Sequence, residues 1–531
     1  MSADDQAGVR VRWLVAGSLS PSPSGRRFTV SASSFGKALE DAGLRLGDLA
    51  VDSLKAFETK EVVQRLPSLK SLLALASELS ASDPAKRPDG ESTVRRVVEA
   101  AGEGELSAAV RAKFNIAPVA PPAAPAPASG EGALLDDLLA GGASKVAQPG
   151  ASGAVSSFIK AMRPAGGATS TTAHRGARDL IEAYAYSAAA ALLGGAEVSP
   201  MESAWRGLKL SADHAPDGGG LAVDVIDVAP AGAVDALRAA LPEYADDSAP
   251  DLIVALDPSD DPEWLLSLAE VGADFDAPVV AAATHKLFGV DDPSAVPARC
   301  EQDDGGLPES WAKLRDDEAS RWLAVAFNRP VVRVEGTGAN RRTVFGSPSA
   351  ALGAMLAASY QKSGAFARIL GPSGGLKAPG SWELPSGREA GTLVPTEAFV
   401  PIRAQTRLGE LGFVALGSGR NTDVIALTAA PAAKGGGDVA PLSAQVLTGR
   451  IVRFARWVVA QLPAGAAEEE VKLLFEQAAA VFLFPSAQEA AKLEAQVVAD
   501  GDKRTVVIAV AARADLAGQP FNLAFGLPLP G

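Results

Sequence analysis

LAVDVIDV at residues 221–228, LIVAL at 252–256 and PVVAAA at 278–283 are short apolar runs bounded by Gly, Pro or Asp, with helical patterns between them. Runs this short, separated by helices, predict a buried and largely parallel sheet with crossover connections, an α/β mixed fold. Upstream, Leu180, Ile181, Tyr184, Ala188 and Leu192 form one face of a long helix. At the start of the chain Val9, Val11 and Trp13 alternate with Arg10 and Arg12, a strand, and RFTVSA at 27–32 predicts a second. Val62, Leu66, Leu69, Leu73 and Ala76 recur at helical spacing, and Pro67 should start or kink that helix. At the other end TVVIAVA (505–511) is a continuous apolar run. Phe521, Leu523, Phe525 and Leu527 then alternate with Asn522, Ala524 and Gly526, so two terminal strands are expected.

A chain of 531 residues exceeds what one core supports, so at least two cooperative units are expected. APVAPPAAPAPASG at 117–130 cannot bury a core and reads as an extended linker. It leads into Leu134-Leu135-Asp136-Asp137-Leu138-Leu139, an apolar-acidic island followed by a Gly/Ser/Ala-rich stretch to about residue 153. The island is either a short helix docked on its own domain or a linear motif for a partner's groove. The expected division is therefore a small α/β unit over 1–115, a linker with a short helix (134–139) over 116–153, and a large α/β core over 154–531.

Residues 1–6 carry neither a basic nor an apolar signal region, and the most apolar stretch, 184–196, is too short to span a bilayer, so a cytoplasmic protein without membrane insertion is expected. A formal charge of −14 disfavours nucleic acid. The single cysteine, Cys300, excludes an intramolecular disulfide, and His174, His214 and His285 match no metal-ligand spacing. GPSGGLK at 371–377 resembles a phosphate loop but has Leu376 before the Lys and Ala378 after it. Gly417-Ser418-Gly419 lacks the third glycine of a dinucleotide fingerprint. Asp257, Asp260 and Asp261 lie in a Pro/Ser turn and read as solvated loop residues. No cofactor, metal or catalytic group is expected, and the protein reads as a non-enzyme.

Several segments instead resemble the large sheath subunit of type VI secretion systems. Glu202-Ser203-Ala204-Trp205-Arg206-Gly207-Leu208, read as the end of a helix, resembles the family's E-x-x-W-R-G-L motif. PVVAAATHKLFG at 278–289 resembles an apolar strand leading to a Phe-Gly turn, and residues 314–333 a segment ending in a strand after Pro330. Pro395-Thr396-Glu397 resembles its P-T-E strand start. Glu410-Leu411-Gly412-Phe413, continued by Asn421-Thr422-Asp423, resembles its L-G-F and N-T-D block, and Arg453-Phe454-Ala455 a late helix. VRWLVAGSLS at 11–20 and Phe57 with Leu66-Pro67 are similar to the small sheath subunit. The chain departs from the family at Phe345-Gly346-Ser347, usually Trp-Gly-Asn, and at Arg456-Trp457, usually His-Tyr.

The resemblance implies a fusion of the two subunits that self-associates into a helical sheath around an inner tube protein, meets a baseplate and is recycled by an AAA+ unfoldase. It also implies that the terminal strands are shared between protomers, Phe521, Leu523, Phe525 and Leu527 forming the inter-protomer strand. Leu134, Leu135, Asp136, Leu138 and Leu139 would form the unfoldase-binding helix. Two alternatives stay open: the sheath of a phage-tail-like contractile particle, and a nucleotide-dependent α/β enzyme, which a nucleotide thermal-shift screen would expose.

Overall fold

The computed structural model describes residues 11–47, 49–117, 170–215, 220–245, 248–302, 304–336, 341–387, 389–436, 439–484, 491–500 and 503–530. Its main sheet is made by β1 (Val11–Gly17), β2 (Arg27–Val30), β3 (Leu221–Asp227), β4 (Leu252–Ser259), β5 (Val279–Ala283), β6 (Leu323–Phe327) and β7 (Phe413–Ala415). They lie in the order β7-β6-β5-β4-β1-β3-β2, with every pair parallel except β2, which runs antiparallel on β3. The three apolar runs are thus β3, β4 and β5. The alternation expected for the first strand puts it at the centre: Val11 to Gly17 pair with Leu221 to Asp227, and Trp13 to Ala16 with Leu252 to Ala255.

Contacts divide the chain into two compact units, one of residues 1–38, 203–334 and 343–531, the other of 39–202 and 335–342. This differs from a division at residue 115. The reason is that β1 and β2 alone would make at most a marginal ribbon; each ladder they form is with β3 or β4.

The second unit is helical: α1 (Thr59–Arg65), α2 (Pro67–Leu79), α3 (Gly90–Ala101), α4 (Glu105–Lys113) and α5 (Ser170–Leu193). Pro67 starts α2, where its missing N–H costs nothing. Helix α5 packs on α1, α2 and α4. Its buried stripe is Ala177, Leu180, Ile181, Ala185, Ala189 and Leu193. Tyr184 and Leu192, expected on that face, are only half-buried; small alanines take the inner positions and let the helices approach.

In the first unit α6 (Val198–Asp213) begins on the far side of the division, which falls after Glu202. Helices α7 (Pro262–Asp274) and α8 (Pro348–Ser363) both pack on β4, β5 and β6. Strand alternation sorts them: Ile253, Ala255, Val279 and Val325 share a cluster with Leu265 and Leu268 of α7, while Val254 lies against Gly353 of α8. Helix α8 is apolar on every side and buried along most of its length, as a helix without a solvent face must be. After α9 (Ile402–Glu410), α10 (Leu442–Gln461) and α11 (Glu468–Ala478), an antiparallel sheet closes the chain: β8 (Ala491–Asp500), β9 (Lys503–Ala512) and β10 (Phe521–Pro528), with β9 in the middle. A separate core, including Ile451, Phe454, Phe475, Val506, Ile508 and Val510, lies under it. No described helix is long and apolar enough to cross a membrane.

Candidate functional site

The seven residues of the first motif lie inside α6, not at its end. Glu202 is fully buried and paired with Arg342, which also binds Glu335 at 2.8 Å and the carbonyls of Phe57 at 3.2 Å and Leu193 at 3.3 Å. All of these belong to the second unit, where two carboxylates and two carbonyls compensate one buried guanidinium. In the first unit Trp205 is buried, its Nε1 donates to Leu19 O at 2.7 Å, and its ring sits 6.0 Å from Phe28 and 5.8 Å from Phe35. A Cβ on Gly207 would stand 3.1 Å from Ala350 Cβ, so glycine lets α6 cross close to α8. Arg206 and Leu208 are buried.

The later motifs are also structural. Thr396 bridges Pro330, its hydroxyl donates to Ala398 O at 2.9 Å, and its carbonyl accepts from Trp382 Nε1 at 2.7 Å. Pro395 O accepts from Val331 N, and Glu397 pairs with Arg329. Gly412 has φ +94°, the left-handed turn from α9 into β7. Phe413 then stacks on Trp311 at 4.4 Å and lies 4.9 Å from Phe288. Asn421 N and Oδ1 bond the carbonyl and amide of Leu393, Thr422 Oγ1 accepts from Val424 N, and Asp423 meets Lys377 at an exposed 3.2 Å.

Two features escaped sequence reading. Asn328, buried at φ +80°, bonds Ala398 with both ends of its amide and reaches Leu416 O; a lone Asn before an Arg-Pro pair gives no such signal. More telling is Asp251, 1 % exposed at the start of β4. It accepts from Arg453 Nη2 at 2.5 Å, Arg450 Nη1 at 3.4 Å and Arg12 N at 2.9 Å. The arginines, on α10, also donate to Asp276 O and Phe482 O. Three charges scattered over 200 residues share no spacing a reader could detect.

Asp257 is not a solvated loop residue: it accepts from Ser18 N at 2.9 Å, and burial, with a push from Asp227, holds its carboxyl above the usual range despite those bonds. Asp261 caps α7 through Glu263 N. Cys300 is buried, which drives its thiol up to about 11 and leaves it inert. The loop resembling a phosphate cradle folds on itself, a Cβ on Gly374 falling 2.3 Å from the Ile369 carbonyl carbon. A cavity of about 350 Å³ is lined by Glu301, Arg403, Thr406, Arg407 and Glu410, whose charges pair with one another. Among the described residues no His, Cys, Asp and Glu cluster suits a metal.

The terminal strand β10 pairs with β9 of its own chain along its length, from Phe521 opposite Ala512 to Pro528 opposite Thr505. Leu523, Phe525 and Leu527 are half-buried against the second core. It is an edge strand, and no charge occurs between 521 and 528. The opposite edge, β8, carries Lys492 and Glu494 on its exposed face. Leu134, Leu135, Asp136, Leu138 and Leu139 lie outside the described residues.

Residues 244–434, which carry β4 to β7, match the family model described as VipB: EvpB/VC_A0108, tail sheath N-terminal domain. No curated protein matches the sequence significantly. Among solved structures, the chain is similar to one in the anti-feeding prophage (AFP) baseplate, with 13% identity, a TM-score of 0.35, and 62% of this chain and 77% of that chain covered. It is also similar to the PVC sheath of an extracellular contractile injection system in its contracted state, at 12% identity and TM-score 0.35 over 62% and 76%. The third is the AFP helical sheath in contracted state, at 13% and 0.33 over 61% and 78%.

Proposed function

A chain whose residues 244–434 match the VipB tail sheath family model is, we propose, a structural subunit of a contractile sheath. That match carries the reading, and the site agrees with it: the motif residues serve packing, turns and buried ion pairs, with no convergence of reactive groups among the described residues. The finer reading is a type VI sheath, supported by the Glu202–Leu208 and Glu410–Asp423 resemblances. In it the protein works in the bacterial cytoplasm, polymerises around an inner tube protein on a baseplate, contracts by repacking core surfaces, and is dismantled by an AAA+ unfoldase through the leucines of 134–139.

The protomers are joined through β10. Its free edge lacks charge, and an undefended edge accepts another strand by main-chain hydrogen bonds. Negative-stain microscopy tests the whole reading: the purified chain, alone or with its tube protein, should form tubules or rings. A strictly monomeric species at micromolar concentration in both conditions overturns it. Deleting 519–531 tests the joint. The half-buried apolar face of β10 predicts some loss of stability, and the joint predicts loss of tubules from a still-soluble chain; normal tubules would refute the joint.

A further inference from the structure

We infer that this single chain folds as an interlocked protomer: each compact unit is assembled from residues on both sides of the connection through 118–169, and the interlock does not depend on that connection staying covalent. Each compact unit contains chain from both sides of that connection, 1–38 with 203–334 and 343–531 in one and 39–117 with 170–202 and 335–342 in the other. A cut anywhere in 118–169 therefore leaves neither unit confined to one fragment.

In the first unit β1 is not an appendage but the strand between β3 and β4, laddered on both sides. Val11, Trp13, Leu14, Val15 and Ala16 are at most 2 % exposed. Four aspartates of the later chain are engaged with the N-terminal segment. Asp251 accepts from Arg12 N, Asp257 from Ser18 N, Asp227 from Leu19 N and Ser20 Oγ, and Asp224 from the side chains of Arg12 and Thr29. Trp13 Nε1 donates to Gly353 O, and Trp205 Nε1 returns the bond to Leu19 O. In the second unit α5 lies on α1, α2 and α4, His174 Nε2 reaches Pro88 O at 3.1 Å, and its ring packs edge-on to Phe114 at 5.1 Å. Without β1 the parallel sheet would split between β3 and β4, exposing two apolar edges; without α1 to α4 the stripe of α5 would be bare.

The inference uses the sheath reading only in calling the folded chain a protomer, and its test is separate. A protease site is placed between 118 and 169 of the full-length chain and cut in the folded protein. Both fragments should elute together, at the intact chain's volume, on native size exclusion. The amides of 12–16 should keep exchange protection within about twofold of the uncut chain. Separation of the fragments without denaturant, or loss of that protection, overturns the interlock. If the cut chain stays together yet never forms tubules, the sheath reading fails and this one stands; if tubules form from a chain whose fragments part when cut, the reverse holds.

Discussion

Replacing Asp251 by Asn removes one negative charge and leaves two guanidiniums in the interior. Arg450 and Arg453 are 4 % and 2 % exposed, so neither can regain water without opening α10 from the sheet. The carbonyls of Phe482 and Asp276 stay among their partners, but a carbonyl cannot supply a countercharge. Each attraction is on the order of 4 kcal/mol at 4 Å and an effective dielectric near 20. Part of that is offset when the side chains shift, and breaking a buried pair by removing one partner costs about 3–5 kcal/mol. The expected loss is in that range. It is measurable by guanidinium titration followed through tryptophan fluorescence, because Trp13, Trp205, Trp264, Trp311, Trp322, Trp382 and Trp457 all lie in the first unit and report it alone. The control is Asp251→Leu with Arg450→Met and Arg453→Met, which removes all three charges and should come within about 1–2 kcal/mol of the parent, since replacing a whole buried ionic group by apolar residues is often neutral or better. A loss below about 1 kcal/mol for Asp251→Asn would refute the reasoning, for it would mean that water reaches the arginines.

Trp205→Ala should cost about 3–5 kcal/mol by the same titration, and Trp205→Phe only about 1 kcal/mol, the bond to Leu19 O being lost while the ring packing stays. Gly449→Ala improves helix propensity by about 1 kcal/mol, yet its Cβ would fall 2.0 Å from Asp276 O, a backbone atom, so net destabilisation of about 1–3 kcal/mol is expected. Asp257, held above its ordinary 3.8, gives a contribution that is present below that value and lost as pH rises through the raised one. Asp257→Asn, which can still accept from Ser18 N, should therefore flatten the fall in stability above pH 3.8, and an unchanged pH profile would show the carboxyl to be solvated.

What the sequence made legible follows from which forces leave a period in it. Strands β3, β4 and β5 are buried on both faces, so apolar content alone marked them, and Pro67 announced the start of α2 by its missing donor. The motif residues were legible as positions but not in their partners: Trp205 could be read as a core anchor, but that it anchors Leu19, Phe28 and Phe35 could not. The linker misled, because Pro- and Ala-rich composition marks where a chain cannot fold and says nothing of which side each neighbour packs on. Strand β1 satisfies its two edges with β3 and β4, more than 200 residues away, and that choice is fixed by ladders and by Asp224, Asp227, Asp251 and Asp257. Each of these aspartates reads locally as an acidic residue beside a strand, and only its partner's position gives it meaning. A break in composition and a break in the fold are different physical events. Here the first falls in a segment whose removal from the covalent path should leave the second untouched, because the energy of the interlock resides in β1, Trp205 and the α5 stripe.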